Sequence, residues 1–125
     1  MSSAEPRLIA LPTEDHGPIT LPEPAWCRGH ADHHPDTYRA DLTHFGPEHR
    51  LTFNGEVLFR LMLTQTPCAD RASREVCAYV EESGYTGSLD PAGLYDLAAA
   101  LDGAADNMRE FADRLAALLD GGEGR

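Results

Sequence analysis

The chain has 125 residues, enough for one domain that buries a core without help from disulfides. Its formal net charge is -11, and all ten basic residues are arginine. That balance argues against nucleic acid or an anionic membrane surface as partner, because both need clustered cations.

No apolar run has the length of a membrane span, and residues 1–20 hold no apolar targeting core. The three cysteines are irregularly spaced and odd in number, unlike a disulfide scaffold. A cytoplasmic protein with free or metal-bound thiols is expected. Residues 1–24 carry five prolines, each of which fixes φ and removes an amide donor, so no long helix forms there. The stretches RLIAL and PITL suit short edge strands. Residues 1–17 are expected to be a disordered N-terminal segment, 18–120 a single α+β domain, and 121–125 a flexible tail.

Residues 25–49 contain five of the six histidines and few apolar side chains. Gly29, Pro35, Gly46 and Pro47 punctuate the run, which reads as a long loop. Irregular loops of about 20 residues are unusual in small domains and need a fastening.

Next, Asn54-Gly55 sits between two β-rich runs and is the favoured pair for a two-residue hairpin turn. On the second run Val57, Phe59, Leu61 and Leu63 alternate onto one face, with Leu51 and Phe53 on the partner strand. EVCAYVEE, residues 75–82, reads as a third strand. Asp90-Pro91 then combines a helix N-cap with a residue suited to the first helical position. From there Leu94, Leu101, Met108 and Leu115 form one apolar row, and Leu97, Ala104, Phe111 and Leu118 a second.

The predicted class is α+β: a small antiparallel sheet of 3–5 strands packed on a long C-terminal helix, with a His/Cys-rich N-terminal loop. A helix of about 28 residues runs about 42 Å, roughly twice the length of a six-residue strand. Half of its stripe is therefore expected to stay uncovered, namely Met108, Phe111, Leu115 and Leu118. A homodimer through this helix, or another protein docked on it, would cover them. A kink at Gly103 that folds the second half back is the competing arrangement.

Within AWCRGHADHH, Cys27 and His30 form a Cys-x-x-His pair that can close on one ion across a turn at Gly29. Zinc wants nitrogen and sulfur donors in a near-tetrahedral set. His44, fourteen residues beyond His30, is the natural third donor. Glu23, His33, His34, His49 and Asp41 are candidates for the fourth. The plainer alternative is a polar loop of solvated histidines, with Trp26 as core anchor and Cys27 as a small buried hydrophobe.

The patterns PAWC..H and RADLTH, followed by a hairpin and an alanine-rich helix opened by Asp-Pro, resemble a family of small actinobacterial domains of unknown function. That resemblance spans about residues 22–119 and implies a shared fold and a metal site built on Trp26, Cys27, His30, Asp41 and His44. Many members of that family carry a further cysteine at the position of Glu23, so here the resemblance leaves open Glu23, His33 or His34 as fourth ligand, or loss of the metal. The resemblance implies no activity.

HADH matches part of the metallo-β-lactamase signature, but Arg28 replaces its first histidine and the chain is too short for that fold. His30 and His34 have zincin spacing without the adjacent glutamate. The favoured reading is a small zinc-binding interaction or accessory protein. Its alternative is a metal- or thiol-dependent enzyme using Cys27, His30 and His44, with Asp41, Glu48 or His49 as base.

Overall fold

A computed structural model describes residues 7–121. Strands β1 (Arg7–Thr13) and β2 (Gly17–Glu23) form a two-stranded antiparallel sheet. A second sheet contains β3 (His44–Phe45), β4 (His49–Phe53), β5 (Glu56–Gln65) and β6 (Cys77–Glu82). A single 3-10 turn, Arg39–Asp41, lies between the sheets in sequence, and helix α1 (Pro91–Asp120) closes the chain. The α+β class is the expected one. Among the described residues, no helix is long and apolar enough to cross a membrane.

RLIAL and PITL fall in β1 and β2, as the short edge strands read from them, so residues 7–17 of the segment expected to be disordered are strand and turn, and residues 1–6 lie outside the described residues. Three prolines sit in the strands of this hairpin, and a two-stranded ribbon tolerates them because each strand is an edge with an open side. Thr13 tightens the turn: its hydroxyl donates to the Gly17 carbonyl at 2.7 Å and accepts from the His16 amide at 3.0 Å. Gly17 supplies the positive φ of +64°.

The second sheet is built around β5. Thr64 pairs with Phe45 of β3 and also with Cys77 of β6, and Leu61 pairs with both His49 of β4 and Val80 of β6. Hence β3 and β4 follow one edge of β5 and β6 takes the other. Pro47 interrupts that first edge because it has no amide to donate. The Gly46 amide still reaches Leu63 O at 2.8 Å, which keeps the two segments in line.

The expected turn connects β4 and β5, with Asn54 at φ 49° and Gly55 at φ 79°, the two positive angles of a type I′ turn. Gly55→Ala places a Cβ in this left-handed conformation and should cost about 1–2 kcal/mol, read as a shift in denaturant midpoint at unchanged slope. The same substitution at Gly103, an exposed helical position, should stabilise by about 1 kcal/mol.

Asp90 caps α1 by accepting the Gly93 amide at 2.8 Å, with Pro91 in the first turn. The helix is unbroken through Gly103 for 30 residues, about 45 Å. Its docked part is the C-terminal half: Ala104 and Phe111 are buried with Leu51 and Leu61, and Met108, Phe59, Leu63 and Ala78 pack around them. This reverses the expectation that Phe111 and its neighbours stay uncovered. The exposed part is N-terminal, where Leu94 is 61 % exposed, Tyr95 78 % and Leu101 44 %. A second core cluster joins the hairpin to the rest through Leu11, Leu21, Leu42 and Cys68.

Candidate metal centre

Three donor-bearing side chains meet where the loop after β2 returns to the main sheet. Cys27 lies just beyond β2, its amide bonded to Pro24 O at 3.0 Å. The next amide, Arg28 N, donates to Phe45 O at 2.8 Å and fixes the loop against β3. Gly29, at φ 102°, then turns the chain so that His30 faces back toward Cys27. His44 opens β3 and is 1 % exposed, with the Trp26 ring edge-on at 6.3 Å.

Cys27 Sγ lies 3.5 Å from His30 Nε2, and His30 Nε2 lies 3.1 Å from His44 Nδ1. All three donor atoms fall within 4.8 Å of one another. A tetrahedral zinc with bonds of about 2.0–2.3 Å separates its donors by about 3.3–3.8 Å, so the two short separations fall close to that spacing.

The remaining sequence candidates separate cleanly. Glu23, buried at the end of β2, sits beside the cluster but is held by Arg7, whose Nη2 donates to Oε2 at 2.7 Å. It is outside the set of converging donors, although its carboxylate interacts with the Cys27 thiol. His33 stands edge-on to His30 at 6.5 Å, and its Nε2 donates to Pro12 O at 2.8 Å. His34 is exposed and also outside the converging set. Asp41 is exposed in the 3-10 turn, and His49 packs on Phe111 at 5.4 Å from its ring.

The hairpin is the loop's other fastening, which the sequence alone did not reveal. The Glu14 amide reaches Thr37 O at 3.0 Å, and the Arg39 amide reaches Asp15 Oδ1 at 2.9 Å. The loop is thus clipped to the hairpin turn at one end and to the Cys27 corner at the other.

The family model for DUF6907, a domain of unknown function, matches residues 8–117. The chain belongs to this family. No curated protein and no solved structure matches it. The DUF6907 match includes both the hairpin and the converging side chains, so β1 is part of the domain and not an appendage to it.

Electrostatics favour uncharged donors here. Burial lowers the pKa of His30 and of His44, with His33 adding to the shift at His30 and His30 adding to it at His44. Burial raises the Cys27 thiol, and the nearby Glu23 carboxylate raises it further. The Arg7 hydrogen bond keeps Glu23 below the usual carboxylate range.

These directions set the pH dependence of the metal-free DUF6907 domain. With depressed folded pKa values, His30 and His44 leave stability intact above the unfolded value of about 6.5 and erode it as pH falls through that value and lower. Glu23 adds a second loss once pH drops below about 4.3. Denaturant midpoints measured with a chelator present should therefore fall between neutral pH and mildly acidic pH. His44→Gln should flatten the upper limb. A midpoint that rises on acidification would contradict this ordering.

Proposed function

We propose that this DUF6907 domain is a small zinc-binding module in which Cys27, His30 and His44 hold the ion. The observation that carries the reading is the convergence of one thiol and two imidazole nitrogens within 4.8 Å at near-tetrahedral separations. Glu23 is the favoured fourth donor, because it is the only remaining candidate carboxylate buried against Cys27. Releasing one Glu23 oxygen from Arg7 would supply it. His34, exposed and outside the converging set, is not favoured. The role is architectural: an ion here ties β2, the loop and β3 at one point, as expected of an accessory or interaction domain.

The thiol-enzyme alternative is opposed by the chemistry of Cys27. A nucleophilic cysteine needs a depressed pKa, and burial beside Glu23 pushes this one up. Elemental analysis of untagged protein, purified without chelator, tests the zinc reading. One zinc per chain in the wild type and none in Cys27→Ser supports it. Equal metal content in both overturns it.

A second copy of the chain is the proposed partner, favoured by the exposed row of Leu94, Tyr95 and Leu101 on α1. Sedimentation of wild type should show a dimer, and Leu94→Glu with Leu101→Glu a folded monomer. A wild type that stays monomeric at high concentration removes this partner.

A further inference from the structure

Behind the Cys27 corner, a cleft of about 750 Å³ runs between the loop at Trp26 and the C-terminal half of α1. Small-molecule sites commonly have about 300–1,000 Å³. Apolar walls come from Trp26, Leu63, Phe111 and Leu118, and the polar side chains on the rim include His49 and Arg114. The Arg114 guanidinium lies over the Phe111 ring, 5.1 Å from its centroid, and Nη2 donates to His49 Nε2 at 3.4 Å.

None of the ion pairs among the described residues involves Arg114. Arg28 on the Phe45 ring is likewise without an ion pair, but of the two only Arg114 lines the cleft. Stacking fixes the plane of the guanidinium and leaves its edge free for a two-oxygen acceptor. The net negative charge of the chain is screened beyond about 8 Å at physiological ionic strength, and Arg114 lines the cleft itself while Glu48 and Glu110 line the adjoining groove.

We propose that this cleft binds a small amphipathic carboxylate, its head on Arg114 and its aliphatic or aromatic body along Trp26, Phe111 and Leu118. An uncharged or cationic molecule of the same shape would leave the guanidinium unpaired at the rim. Its head-group anchor lies on α1, while Trp26 and Cys27 form the opposite wall, so the cleft needs the loop held in place.

Octanoate and octanamide, alike in shape and different in charge, are the probes. Isothermal titration, with fluorescence of the lone Trp26 as a second readout, should show octanoate filling one site per chain. Octanamide should bind at least about tenfold more weakly, a difference of about 1.4 kcal/mol. Arg114→Gln should bring octanoate down to the octanamide level, while Arg109→Gln, an exposed position paired with Asp106, should leave both unchanged. These measurements use the protein as purified, because removing a metal would free the loop that carries Trp26 and Cys27. Equal affinity for the two probes, no saturable octanoate binding, or an unaffected Arg114→Gln would each overturn the proposal.

Discussion

His44→Ala should cost the protein its metal and release the loop between β2 and β3. Apparent zinc affinities of structural sites amount to about 10–16 kcal/mol, or about 3 kcal/mol per donor in a four-ligand site. Losing one donor therefore weakens binding by more than about a hundredfold. His44 should show the full effect because it is 1 % exposed, and its loss also leaves a hole beside Trp26 and His30. His34→Ala is the matched control in the same loop and should retain zinc. Chelation of the wild type should mimic His44→Ala. At free zinc about 1,000-fold above the dissociation constant, the ion adds about 4 kcal/mol to stability. The loss should be local. Amide exchange should quicken through the β1–β2 hairpin and residues 24–43, while β5 and the docked half of α1 stay protected. Equal zinc affinity in His34→Ala and His44→Ala, or exchange that quickens uniformly over the chain, would refute the assignment.

The Cys27–His30 pair was legible because the two lie one turn apart and Gly29 permits that turn, whereas His44 was reached only as a histidine behind a loop long enough to fold back. The Asn54-Gly55 turn and the Asp90-Pro91 start of α1 were legible for the same reason: each is written in adjacent residues. What stayed hidden depends on distant pairing. Strand β1 has Pro12 within it, and its pairing with β2 extends to Arg7 against Glu23, sixteen residues apart. That pairing also explains why Glu23 is bound to Arg7, which no local pattern signals. His33 and His34 are adjacent and equivalent in composition, yet one caps the Pro12 carbonyl and the other faces solvent.

The apolar stripe of α1 was visible from its period, but periodicity does not say where a sheet sits beneath it. The bulge between Leu51 and Thr52, and the offset of β6 along β5, place the main sheet under Ala104 and Phe111. The cleft beside Trp26 arises from the same placement. Its walls come from four separate parts of the chain, the loop, the sheet edge, β5 and α1, so no sequence motif marks it.

Phe111→Ala should be the most destabilising single change on α1. The helix has only two buried side chains, Ala104 and Phe111, so one ring supplies most of its anchorage. Truncating a buried phenylalanine costs about 3–5 kcal/mol, a third or more of the roughly 5–15 kcal/mol by which such domains are stable. Leu101, equally apolar and on the same helix, is 44 % exposed, and Leu101→Ala should cost no more than about 0.5 kcal/mol in the monomer. Chemical denaturation of the two variants at low protein concentration separates them. The mechanism predicts more than a shifted midpoint. Once Phe111 is gone, α1 should loosen before β4–β5 unfolds, because a helix detached from its sheet is marginal in water. Near-ultraviolet signals from Trp26, beside the cleft that Phe111 lines, should then fade at lower denaturant than the far-ultraviolet signal of the strands. Coincident transitions with a small midpoint shift would mean that α1 is held elsewhere, through contacts that Ala104 and Met108 alone sustain.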